Sequence, residues 1–65
     1  MKKLKDLKIG SYFTLKEIEN PKAEQVYIRG EYDRSSKSFS CEKFSDTNSE
    51  RFFRSDKEVF TDFIF

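Results

Sequence analysis

The chain has 65 residues, with 8 Phe and 3 Tyr but no His, no Trp and a single Cys, and its 13 Lys and Arg against 12 Asp and Glu leave a net charge of +1. Sixty-five residues make one small domain, residues 1–65, whose core contributes roughly 3–5 kcal/mol of net stability unless something staples it. A lone Cys41 closes no internal disulfide, and a chain without His or a second Cys lacks the usual zinc ligand sets. Dense aromatic packing or self-association is what remains to hold the domain together.

No apolar run approaches the roughly 20 residues of a membrane helix. The start, Met1-Lys2-Lys3-Leu4-Lys5, has the charge of a signal peptide but no apolar stretch behind it. One Cys without a partner fits a reducing compartment, so the expectation is a soluble, cytoplasmic protein. The charges are interspersed, as on an ordinary soluble surface, and lack the basic excess of a duplex-DNA binder. Charged residues at 38% and hydrophobic residues at 35% lean toward disorder, but 17% aromatic content argues for a folded chain.

In chain order, Lys2 to Gly10 reads as a leading loop or one helical turn, with Leu4 and Leu7 three apart and a turn at Gly10. Ser11 to Lys16 is the first expected strand, with Phe13 and Leu15 on one side and Tyr12 and Thr14 on the other. Asn20-Pro21 marks a turn inside the charged stretch that follows. Val26 to Asp33 is the second strand. Strict alternation groups Val26, Ile28, Gly30 and Tyr32 on one face and Tyr27, Arg29 and Glu31 on the other. Gly30 inside it signals a bulge or tight bend.

Asp33 to Lys37 is a polar hairpin loop in which Asp and Ser bond nearby backbone. Ser38 to Phe44 is the third strand, with Phe39 and Cys41 inward, and it pairs with the second. Ser45 to Glu50 reads as a loop, or a loop with one helical turn, for which Thr47-Asn48-Ser49-Glu50 fits a capping box. Arg51 to Arg54 is a short fourth strand and Glu58 to Phe65 the last. Val59, Phe60, Phe63 and Ile64 also fit helical spacing, but Val, Phe, Thr and Ile favour a strand. The expected fold class is all-β, a small five-stranded antiparallel SH3-like barrel or twisted sheet, with α+β carrying one terminal helix as the alternative.

Chemistry-bearing groups are few. Cys41 has no His to act as its base and reads as a small buried hydrophobe. Asp46, Asn48 and Glu50 alternate as in a calcium loop, but Lys57 stands where the closing Glu belongs and no Gly follows Asp46 for the tight turn. Pairs such as Glu17/Glu19 and Glu31/Asp33 read as solvated faces, since paired carboxylates act as acid and base only in a cleft. Two glycines twenty residues apart make no phosphate loop. The expectation is therefore non-enzymatic, with no catalytic residues, metal, cofactor or small-molecule substrate.

Aromatic residues carry the functional reading. Adjacent residues of a strand face opposite sides, so Tyr12-Phe13 and Phe52-Phe53 cannot both point into one core. Tyr12, Tyr27, Phe60 and Ile64 fall on the outer side and are the candidate protein-binding anchors, for another protein or for a second copy as a homodimer. The alternative is a single-stranded nucleic-acid-binding barrel using Arg29, Lys43 and Arg51 among the rings. Glu31, Asp33, Glu42 and Glu50 interrupt the same strands and cancel much of that field.

The run Leu4-Lys5-Asp6-Leu7-Lys8-Ile9-Gly10-Ser11-Tyr12-Phe13-Thr14-Leu15, with Val26 to Asp33 and Glu58-Val59-Phe60 after it, resembles small uncharacterised SH3-like-barrel proteins of Bacteroides-type bacteria and their mobile elements. There a similar leader enters the first strand of the barrel; Ser11 departs from the acidic residue that commonly follows the glycine. The resemblance implies a fold, and no activity or functional residue.

Overall fold

The structure, a computed structural model, describes residues 2–65. Its strands are β1 (Lys2–Lys3), β2 (Tyr12–Phe13), β3 (Tyr27–Asp33), β4 (Ser38–Lys43), β5 (Asp46–Arg54) and β6 (Glu58–Val59). β2 to β5 form a four-stranded antiparallel sheet in chain order, and β1 pairs with β6 in a separate two-stranded ribbon. Short 3-10 turns at Leu4–Asp6 and Ala23–Gln25 are the helical elements among the described residues. The fold is all-β, as the alternation of Phe, Tyr, Ile and Val with polar residues requires.

Two sets of hydrogen bonds tie the ribbon to the sheet. Thr14 and Phe60 exchange backbone bonds of 2.9 and 3.0 Å at one side. At the other, the N–H groups of Leu4 and Lys5 donate to the carbonyls of Lys57 and Ser55 at 2.9 and 3.0 Å. The strands thus curl around a common core without closing into a barrel.

That core consists of Leu4, Phe13, Tyr27, Phe39, Cys41 and Val59, with Leu7, Leu15 and Phe53 packed at its margin. Phe13 and Tyr27 stack with ring centroids 5.8 Å apart, and Phe53 meets both edge-on at 6.2 and 5.4 Å. Burying a ring of this size contributes about 1.5–3 kcal/mol. Aromatic packing therefore does the work for which a larger domain uses more residues.

The hairpin between β3 and β4 has the expected polar loop. The Asp33 carboxylate accepts bonds from the Ser35 N–H at 3.0 Å and the Ser35 hydroxyl at 2.7 Å. Gly10 adopts φ +87° in the turn closed by Ser11 N–H to the Lys8 carbonyl, where a side chain would be strained.

Several boundaries differ from the sequence reading: Lys2–Lys3 is a strand, where a loop or helical turn was expected, and the strand expected over Ser11 to Lys16 is only Tyr12–Phe13. Ser45 to Glu50 is not a separate loop. A two-residue turn, Phe44-Ser45, leads directly into β5, whose register runs Lys43↔Asp46 and then Glu42↔Glu50. Thr47, Asn48 and Ser49 are extra residues bulged out of the strand, with the Asn48 N–H bonded to Asp46 Oδ1 at 3.1 Å. The capping-box pattern reflects polar residues suited to that bulge. The last strand also stops early. Phe60 pairs with Thr14, and there the partner strand turns away, with the Thr14 hydroxyl donating to the Lys16 carbonyl at 2.6 Å. Residues 61–65, left with no ladder, form neither strand nor helix.

Gly30 sets the phase of β3. Arg29 pairs with Cys41 but Tyr32 with Phe39, so one extra residue is accommodated at Gly30-Glu31. A Cβ on Gly30 would lie 2.1 Å from the Ser40 carbonyl oxygen. The bulge puts Tyr27, Arg29 and Tyr32 on one face, where unbroken alternation would split them. Gly30→Ala must push apart two backbones, and overpacking of this kind costs about 3 kcal/mol. Urea denaturation of Gly30→Ala should show a midpoint far below that of the parent chain; an unchanged midpoint would mean the bulge yields freely.

Candidate functional site

The phase of the sheet decides which anchors are available. Phe13, Tyr27 and Phe53 face the core, so their neighbours Tyr12, Ile28 and Phe52 face outward. Tyr12 is exposed as expected, and so is Ile64, at 74%. Tyr27 is not. It is 7% exposed, stacked on Phe13 and capped by Phe53, because the Gly30 bulge shifts the alternation from which its outward position was read. Phe60 is half-buried, held by the bridge to Thr14, and offers less surface than a free strand position would.

Two residues that sequence reasoning did not assign complete the outer cluster. Phe44 sits in the turn after β4, and its N–H donates to the Val26 carbonyl at 2.8 Å. Phe65 is brought back over the sheet by the chain end, which the Ile64 N–H ties to the Glu19 carbonyl at 3.0 Å. Tyr12, Phe44 and Phe65 meet mutually edge-to-face, with centroids 5.5, 5.8 and 4.8 Å apart. Each of the three is at least 38% exposed. This is the preferred geometry of aromatic pairs, and such contacts add about 0.5–1.5 kcal/mol each. The signal in the sequence was only that Phe44 ends a strand and Phe65 lies five residues past Phe60.

The basic residues separate from the acidic ones in a way not evident along the chain. Arg29, Cys41 and Arg51 are directly opposite one another on β3, β4 and β5, and Lys43 lies two residues from Cys41 on the same face. Glu42 and Glu50 lie opposite each other on the outer face, where the Ser40 hydroxyl donates to Glu50 Oε2 at 2.6 Å. Of the four carboxylates expected to cancel the basic field, Glu42 and Glu50 therefore point away from it. Arg29 is not a free arm, however. Its guanidinium carbon lies 3.9 Å from the centroid of the Phe39 ring, and its Nε is buried with no hydrogen-bond partner. Lys43 is half-buried and Arg51 exposed. Among the described residues the one ion pair is the exposed Arg54–Asp56, at 3.7 Å.

Elsewhere, a shallow cavity of about 210 Å³ is lined by Leu15, Lys16, Ile18, Glu24, Gln25 and Tyr27. It is smaller than the pockets that hold drug-sized ligands. Among the described residues no cluster of three metal-ligating side chains occurs, and no helix is long and apolar enough to cross a membrane. No family model, curated protein or solved structure matches the chain.

Cys41 is fully buried, and its burial pushes the thiol above the ordinary value of 9.0. A hydrogen bond from the Gly30 backbone and the positive charge of Arg29 act in the opposite, weaker direction. Below pH 9 the thiol stays protonated and covered, so the native protein should react with a disulfide reagent such as DTNB only as fast as it opens. Adding urea should raise the rate at least a hundredfold. Instant stoichiometric reaction of the native chain at pH 8 would show the thiol to be accessible.

Proposed function

We propose that this protein is a non-catalytic interaction module that docks another protein on the outer face of its sheet, at the cluster of Tyr12, Phe44 and Phe65 with Ile64 beside it in sequence. The observation that carries this reading is the mutual edge-to-face contact of three partly exposed rings on the side opposite the core. Rings already locked against one another lose little freedom on binding, and aromatic residues at the centre of a patch supply much of the affinity of protein interfaces. The setting that fits the composition and the resemblance is a bacterial cytoplasm, with the strands arranged in an open, SH3-like manner.

The test is a folded variant that has lost the patch. Tyr12→Ser with Phe44→Ser removes exposed rings and should cost only about 1–2 kcal/mol of stability. Immobilised parent chain should retain a specific protein from a lysate of the source organism, and the double variant should lose it while keeping its circular dichroism spectrum. Equal retention by both chains would place the contact elsewhere.

A second reading, single-stranded nucleic-acid binding, gains support from the segregation of Arg29, Lys43 and Arg51 from Glu42 and Glu50 on opposite faces. It predicts that a labelled oligonucleotide shows an anisotropy change in low salt that collapses as salt is raised, since phosphate contacts release counterions. A flat titration at low salt removes this reading.

A further inference from the structure

β5 is an edge strand: β4 pairs with one side of it, and among the described residues no strand pairs with the other. Its bulge ends at Ser49, which leaves Glu50 to Arg54 as a regular segment. Which backbone groups of that segment are free follows from the ladder. The Ser55 N–H donates to the Lys37 carbonyl, which makes that pair a hydrogen-bonded one. Hydrogen-bonded and non-bonded pairs alternate along an antiparallel ladder. Phe53 opposite Phe39 and Arg51 opposite Cys41 are then bonded to β4, whereas Glu50, Phe52 and Arg54 turn their N–H and C=O groups outward, the Arg54 carbonyl there accepting the Lys57 N–H at 3.1 Å. Phe52 is also 54% exposed on the outer face. An open edge without Pro or Lys is a template for another strand.

We propose that this edge pairs with β5 of a second copy of the chain, antiparallel about a two-fold axis at Phe52. The side chains select both the occupant and the register. Centred on Phe52, the pairing sets Phe52 against Phe52. It places Glu50 opposite Arg54 of the other copy twice over, and Arg51 opposite Phe53 of the other copy twice over. Every charge in the segment then faces an opposite charge or a ring. The neighbouring registers fail on charge: centring on Arg51 sets Arg51 against Arg51, and centring on Glu50 sets Glu50 against Glu50. Centring on Phe53 sets Glu50 against Asp56. In the favoured register the outward N–H and C=O of Phe52 bond each other across the axis, and the Arg54 N–H meets the Glu50 carbonyl of the other copy. Among the described residues Arg54 has only the exposed 3.7 Å pair with Asp56 to give up. Five residues a side place this among small, weak interfaces. The edge is separate from the Tyr12, Phe44 and Phe65 cluster, and neither surface depends on the other.

Charge reversal tests the register directly. Sedimentation equilibrium of the parent chain at millimolar concentration should show a monomer–dimer equilibrium. Arg54→Glu should weaken it at least about tenfold, by setting carboxylates against each other. The double variant Glu50→Arg, Arg54→Glu should restore it, since the pair is re-formed with its signs exchanged. Both positions are exposed, and circular dichroism verifies that each variant folds. A parent chain that stays monomeric throughout overturns the proposal. So does a dimer indifferent to Arg54→Glu, or one abolished instead by Tyr12→Ser with Phe44→Ser, or a double variant no better than the single one.

Discussion

The close approach of Gly30 to the Ser40 carbonyl is the contact on which the arrangement of the sheet depends. With a side chain there, β3 and β4 could not meet, and the extra residue at Gly30-Glu31 would have nowhere to go. The bulge turns Tyr32 to the same side as Tyr27 and Arg29, over Phe39, where the two residues flank its ring at 5.0 Å and 3.9 Å. Core and surface are assigned by that one-residue step. Bulges also increase the twist of the strands they interrupt, which suits a sheet that must curl over so few apolar residues.

The elements themselves were legible because hydrophobic alternation is a local property. Tyr27 to Asp33 and Ser38 to Lys43 follow it closely, and the polar residues between them can form only a turn. Gly30 was legible as an irregularity, but a glycine does not announce how many residues the partner strand will skip. Tyr27 was misplaced for that reason: the apolar set Val26, Ile28 and Tyr32 looks like one face until the register shifts between Arg29 and Tyr32. Val26 is buried all the same, because it precedes the strand and escapes its alternation. The C-terminal segment failed for a different reason. Val59 to Phe65 has the composition of a strand, but a strand needs a neighbour, and β2 ends before Phe60 is passed. Which neighbour runs out first is a tertiary fact.

Charge shows the same division. Along the chain the acidic and basic residues are closely interleaved, with 13 Lys and Arg against 12 Asp and Glu. On a pleated strand, adjacent residues are separated by the thickness of the sheet. Lys43 and Glu42 are neighbours in sequence and face opposite sides in space. Interspersion in sequence thus becomes segregation in structure, with Glu42 and Glu50 opposite each other on the outer face and Arg29, Lys43 and Arg51 on the face that carries Cys41. The direct opposition of Glu42 and Glu50 works against pairing of β4 with β5. The Ser40 hydroxyl bonded to Glu50 offsets part of that repulsion.

The pairing of Lys2 with Val59 has a kinetic meaning. The meander from β3 through β5 is built from neighbours in the chain and closes short loops, so it is suited to assemble first. The ribbon that covers the core joins positions separated by nearly the whole molecule, and its formation must wait until both ends have travelled round to meet. Leu4 and Val59 then enter together, as a final lid of two halves. If β1 peels away, Leu4 leaves the core with it and Val59 loses its partner, while the Thr14–Phe60 bridge still holds the β6 side to the sheet.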